Sequence, residues 1–269
     1  FDGTVASDPS NEKFVHNEFG VNYKFGKLGL NASAYNTDWQ DRNLTKSVTT
    51  GQGDSGDTDV IFLTGVNQKH SGVELETNYM VNDMLDLMFV ASFGNWKFDG
   101  DANGNYQETE YNSEGQAVGY KTTEYAYALD GLYVGDMPQT SYVLGVTLKP
   151  IKDLRIQAIH KMYDKNYSDW SPSAREFDGT NDDADRSQVW EAPSYNRLDL
   201  HMSYKLPKVK DLDMTLTANI FNALDEVYVQ DAVDNSQYNG YGTKNHLAHN
   251  AEVFLGTPRY ANIGLSIGF

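Results

Sequence analysis

Apolar residues recur at every second position along this chain in short runs, the period of strands with one greasy face. The clearest run is the last, where Ala261, Ile263, Leu265, Ile267 and Phe269 alternate with Asn262, Gly264, Ser266 and Gly268. Phe19–Phe25 and Leu28–Tyr35 alternate in the same way about a tight Gly26-Lys27 turn, which predicts a hairpin. Val73–Tyr79 and Leu85–Phe93 follow, joined by a short turn; then come Tyr142–Leu148 and Leu154–Ala158, turning at Pro150 and Asp153. Leu198–Tyr204, Leu212–Ile220 and the closing run complete nine predicted strands. Between them, residues 42–59, 97–137, 165–192 and 225–256 are polar with little periodicity and are expected to be loops.

The connections alternate strictly between short and long. A soluble sandwich has no reason to do this, whereas a transmembrane barrel has short turns on one side and long external loops on the other. The polar faces bearing Glu74, Glu76, Arg197, Asp199 and His201 then point into the lumen, because a charge facing lipid costs ~2–4 kcal/mol near mid-bilayer. The expected fold is all-β, a transmembrane antiparallel β-barrel, with the chain as a single unit over residues 1–269.

A formal net charge of −17 leaves no basic patch for nucleic acid. With no cysteine, disulfides and thiolate metal sites are excluded. No run of eighteen apolar residues predicts a spanning helix. Aromatic residues make up 13% of the chain, which suits strands and interfacial girdles. The chain begins at Phe1 rather than Met, and reads as a piece of a longer polypeptide.

Five phrases, in order, resemble the C-terminal barrel of TonB-dependent outer-membrane receptors. They are HSGVELETNY at 70–79, VGDMPQTSYVLGV at 134–146, APSYNRLDLHMSYKL at 192–206, LTANIFNALDEVYVQDA at 216–232 and GTPRYANIGLSIGF at 256–269. The second and fourth are most similar to the Bacteroidota branch, whose members often carry a carboxypeptidase-regulatory-like N-terminal domain. Plugged-lumen transporters have about 22 strands, so the resemblance makes these nine the C-terminal portion of the barrel, with the plug domain outside this chain. It implies TonB-dependent uptake of an iron chelate, vitamin, glycan or peptide across the outer membrane of a Gram-negative bacterium. The implied partners are the plug and earlier strands, the TonB complex, outer-membrane lipid and a surface lipoprotein. A barrel serving only as a scaffold for assembly or adhesion is the alternative.

Two sets of residues carry candidate chemistry. Asp99-Gly-Asp101-Ala-Asn103-Gly104-Asn105-Tyr-Gln107-Glu-Thr-Glu110 matches the spacing of a calcium loop. Asp99, Asp101, Asn103 and Glu110 would supply side-chain oxygens, Asn105 a carbonyl, Gln107 the ninth position and Gly104 the turn. Trp170, Trp190, Tyr238 and Tyr241 fall in the external loops, where rings could stack on a ligand. His246 and His249 are three apart and could share a metal, but no further ligand accompanies them. No Ser-His-Asp pattern, phosphate loop or H-E-x-x-H is present, and no enzyme is expected.

Overall fold

Alternation and tight turns generate the architecture directly. In the computed structural model, which describes residues 11–50, 57–177, 184–208, 210–236 and 245–269, β1 (Lys13–Phe25) and β2 (Leu28–Thr50) form the predicted hairpin. Then come β3 (Asp57–Asn82), β4 (Leu85–Phe98), a hairpin of β5 (Ala102–Tyr111) and β6 (Ala117–Tyr127), β7 (Thr140–Leu148) and β8 (Leu154–Asp164). The short elements β9 (Asn166–Tyr167), α1 (Pro172–Arg175), β10 (Glu176–Phe177) and β11 (Glu191–Ala192) precede β12 (Tyr195–Lys205) and β13 (Asp213–Phe221). Finally β14 (Val229–Val233) and β15 (Glu252–Leu255) pair with each other, and β16 (Tyr260–Gly268) ends the sheet.

Nine strands form one antiparallel wall in the order β1-β2-β3-β4-β7-β8-β12-β13-β16, which are the nine expected from alternation. Their register lines up one face completely. Phe25, Leu28, Tyr79, Leu87, Val146, Ala158, Leu200, Ile220 and Ala261 are successive cross-strand partners, one per strand, and none is polar on its outer surface except for the tyrosine hydroxyl. On the other face Asn22, Asn31 and Glu76 are partners, as are His201, Asn219 and Asn262. The apolar face stays bare: Phe19 is 74% exposed and Ile263 80%. Lys24 on β1 and Gln157 on β8 line one hollow on the polar face although five strand spacings, roughly 24 Å, separate them along the sheet. The sheet therefore curls with its polar face inward.

The buried apolar core lies elsewhere, at the long-loop end. Leu63, Phe98, Tyr127, Leu132 and Trp170 cluster there, contributed by β3, β4, β6 and the segments around β7 and β9. This corrects the expectation of plain loops at 42–59 and 97–137. β2 and β3 remain paired as far as Thr50 and Asp57, with bulges near Arg42, and β5 adds to the outer part of β3 at Phe62–Thr64. Arg42–Thr50 shows no apolar alternation, and its β-branched Thr45, Val48, Thr49 and Thr50 favour the strand.

Candidate functional site

The long-loop end brings together a roof of loops and the upper part of the polar wall. The roof is tied by buried charge. Arg175, at the end of α1, and Asp234, just after β14, both have fully buried side chains and meet at 3.4 Å. Arg175 also donates to the carbonyls of Asp185 and Ser187 at 2.9 and 2.7 Å. The His246 ring spans two carboxylates, with Nδ1 against Asp234 and Nε2 2.7 Å from Asp185. Burial pulls the Arg175 guanidinium below its ordinary value, and Asp185 and Asp234 oppose that pull. Burial would raise the Asp185 carboxyl, but hydrogen bonds from His246 and Ser187 bring it below its ordinary value. One network thus joins the loop of residues 165–192 to that of 225–256. His246 is held between these carboxylates, and His249 Nε2 lies 3.3 Å from the Asn245 side chain.

A second clasp sits at the base of the β5–β6 hairpin, where Arg186 donates to both oxygens of Asp101. The Leu129 and Asp130 amides donate to the same carboxylate at 3.0 and 3.1 Å. The hydrogen bond from Arg186 holds the Asp101 carboxyl below its ordinary value, against the opposing effect of burial. A carboxyl lowered by folding stabilises the fold above its unfolded-state value, and that contribution is lost as pH falls through the folded one. The clasp is expected to hold at neutral pH and to open only below the ordinary carboxylate value of about 3.9. Amide exchange at Leu129 and Asp130, corrected for the intrinsic pH effect, should therefore speed up only in that acid range; protection unchanged there would refute it.

The calcium-loop residues are not gathered around a point. Asp99 pairs with Lys69 at 2.8 Å and Asp101 with Arg186, while Asn103, Asn105, Gln107 and Glu110 follow one another along β5. Asn103 and Glu110 lie roughly 23 Å apart at about 3.3 Å per residue, whereas calcium holds its oxygens at about 2.3–2.6 Å. The side chains of Asn105 and Gln107 are outside the described residues. Pairing with β6 and β3 draws this stretch into a strand where a loop was expected. Among the described residues no group of three or more His, Asp or Glu could hold a metal ion.

The two tryptophans of the candidate aromatic set play different parts. Trp170 is 1% exposed, packed against Phe98 and Tyr127, so its ring belongs to the roof's core and offers no face to a ligand. Trp190 is half-buried; its carbonyl accepts from Ser168, and its amide donates to Asp234 at 3.4 Å. Tyr238 and Tyr241 lie outside the described residues.

Aromatic rings do gather on the upper polar wall, where alternation had not singled them out. Tyr35 and Gly72 are cross-strand partners, as are Gly72 and Gly94. A Cβ on Gly72 would collide with the Tyr35 ring, and one on Gly94 with the Trp96 indole. The two glycines therefore let both rings lie flat on the sheet, where Trp96 Nε1 donates to the Tyr35 hydroxyl at 2.9 Å. His70 stacks on Trp96 at 5.5 Å, and His16 on Tyr35 at 6.3 Å. Trp39 stands above, edge-on to Phe14. Together they border a hollow of about 340 Å³ whose other lining residues include Glu18 and Glu74. The sequence signal was available: Tyr35, Thr37 and Trp39 continue the polar parity of β2, Tyr35 meets Gly72 on the next strand, and Trp96 meets Gly94 two residues before it on β4.

Lower on the same face Asp199 is buried, 2.8 Å from Lys161 Nζ, and accepts from the Asn222 amide at 2.9 Å. Asn222 has a left-handed backbone (φ 48°) and donates to the carbonyls of Glu226 and Thr257. The wall thereby fixes both ends of the last long loop.

A curled sheet with a bare apolar outside, a polar inside and a roofed mouth is a segment of β-barrel wall. The chain belongs to the TonB-dependent receptor-like β-barrel family, whose model matches residues 8–223. It is similar in fold to the copper transporter OprC, with a TM-score of 0.58 at 16% identity, covering 100% of this chain and 33% of that one. The closed form of the ferric-catecholate import receptor Fiu from E. coli K12 matches at TM-score 0.53 and 13% identity, covering 99% of this chain and 30% of that one. A mutant of the ferric enterobactin receptor PfeA from Pseudomonas aeruginosa matches at 0.53 and 15%, covering 96% and 31%. The chain thus spans about a third of the length of these solved structures. No curated protein matches it.

Proposed function

We propose that this chain forms part of the wall and mouth of an outer-membrane receptor of a Gram-negative bacterium, which takes up a nutrient by TonB-dependent transport. The observation that carries the reading is the unbroken apolar row across all nine wall strands, on a chain of this family. Such a face needs lipid against it, since exposed apolar area of this extent is not left to water. Within the described residues β1 pairs only with β2 and β16 only with β13. Open edges are not viable in lipid, so further strands of the whole receptor complete the barrel. The plug, the TonB complex and lipid are then its partners. The similar solved structures are a copper transporter, a ferric-catecholate import receptor and a ferric enterobactin receptor, which supports import in general and leaves iron chelate, vitamin, glycan and peptide as substrate classes.

No bond is made or broken in this scheme. Ligand meets the roof and the upper polar wall, and transport follows from binding that differs between receptor states. The test is accumulation of a labelled panel (ferric siderophores, cobalamin, oligosaccharides, short peptides) by cells expressing the whole receptor, with and without TonB. Accumulation of one class that collapses to the passive background without TonB is expected. Equal accumulation in both strains, for every class, would leave a scaffold as the better description.

A further inference from the structure

The hollow on the upper polar wall has a chemistry of its own. Its floor is two rings laid flat, Tyr35 and Trp96, each held down over a glycine and joined by a hydrogen bond. Glu18 is the cross-strand partner of Tyr35, and Glu74 stands one row further down β3. Both carboxylates are exposed to the hollow, and neither Lys nor Arg lines it. His16 Nε2 stands 3.6 Å from Glu18, and His16 and His70 are the side chains of the lining that can carry a positive charge. Flat ring faces bordered by carboxylates attract cationic nitrogen twice, through the ring quadrupole and through ion pairing. The neighbouring ring already does this within the protein: the Arg42 guanidinium lies over Trp39, 3.7 Å from the ring centre. Anionic chelates meet the opposite field, in a chain of net charge −17.

We propose that this hollow is a binding site for a ligand presenting an ammonium or guanidinium group, as a basic peptide or a polyamine does. The inference rests on reading this face as the lumen of an importer, and it narrows the substrate class. The cation sits against the faces of Tyr35 and Trp96, and its protons reach Glu18 and Glu74. His16 and His70 extend the ring surface on either side.

The experiment uses the purified whole receptor in detergent, with tryptophan fluorescence and calorimetry as readouts. The probes are tri-arginine, spermidine, the uncharged analogue tri-citrulline and a ferric tris-catecholate. Binding of tri-arginine or spermidine is expected to weaken with salt; tri-arginine identifies a peptide site and spermidine a polyamine site. Tri-citrulline should bind about tenfold more weakly than tri-arginine, the scale of one or two exposed charge contacts. Glu18→Gln with Glu74→Gln keeps shape and removes both charges, and should weaken the cationic probe by about the same factor. The comparison of probes on the unaltered receptor decides the matter even where a variant fails to assemble. Equal affinity for charged and uncharged peptides, preference for the catecholate, or no binding of either cation would overturn the site. Binding and uptake fail separately. Charge-dependent binding without TonB-dependent accumulation sinks the importer reading and leaves the site, whereas TonB-dependent accumulation indifferent to the glutamine variant does the reverse.

Discussion

Replacing Arg175 by methionine is expected to destabilise the loop roof by about 3 kcal/mol, the lower end of the usual cost of breaking a buried ion pair, because Asp234 keeps His246 and the Trp190 amide as partners. The size follows from burial. Neither Arg175 nor Asp234 has any side-chain exposure, so water cannot take over when the guanidinium is removed. The carbonyls of Asp185 and Ser187 lose their donor in the same step. The effect should be local, because the wall strands rest on their own ladders. Amide exchange in the detergent-solubilised receptor should rise across the described parts of 165–192 and 225–256 while β7, β8, β12 and β13 stay protected. Removing both charges is a different experiment. Arg175→Met with Asp234→Leu replaces the pair by apolar side chains and should recover only part of the loss, since it also takes Asp234 away from His246 Nδ1 and the Trp190 amide. A single variant whose loops exchange like the original would show that the network does not hold the roof.

That network could not be read from the sequence, and the reason is distance along the chain. Arg175 and Asp234 are 59 residues apart, and His246 and Asp185 61. Each lies in a stretch without periodicity, where only the folded arrangement says who meets whom. The wall is the opposite case. Its strands were legible because two solvents filter its two faces, so Leu198, Leu200, Met202 and Tyr204 alternate visibly with Arg197, Asp199, His201 and Ser203. Where β2 and β3 rise beyond that filter, Asn43–Thr50 is mostly polar and Val60-Ile61-Phe62-Leu63 is an unbroken apolar run, so the alternation vanishes although the pairing continues to Thr50 and Asp57. The stretch 99–110 misled for a related reason. Its Asp, Asn and Gly satisfy a calcium-loop spacing, but strand pairing with β6 decides its shape. Trp170 and Trp96 show the limit for the site itself: both are loop-end tryptophans in sequence, yet one is sealed in the core and the other lies open on the wall.

The second large effect concerns the wall, and tests which solvent each face meets. Ala218 lies on the apolar face between Met202 and Ile263, midway along the band formed by Met214, Leu216 and Ile220. Ala218→Arg removes almost no packing, so its cost is nearly all charge: about 2–4 kcal/mol if that position faces the middle of a bilayer. The same substitution at Met214, nearer the short-turn end of β13, should cost only about 0–1 kcal/mol for the charge, because depth sets the penalty. Thr217→Arg puts the identical side chain on the polar face, where the loss is limited to the Thr217 hydroxyl contact with the Gly264 carbonyl. Folding of the whole receptor into lipid vesicles, titrated with urea and read by heat-modifiable gel mobility, gives all three values on one scale. The ordering 218 well above 214, with 217 small, is what a lipid-facing apolar row demands. Equal penalties at 217 and 218 would mean that the two faces meet the same solvent, and this sheet could then not be a membrane wall.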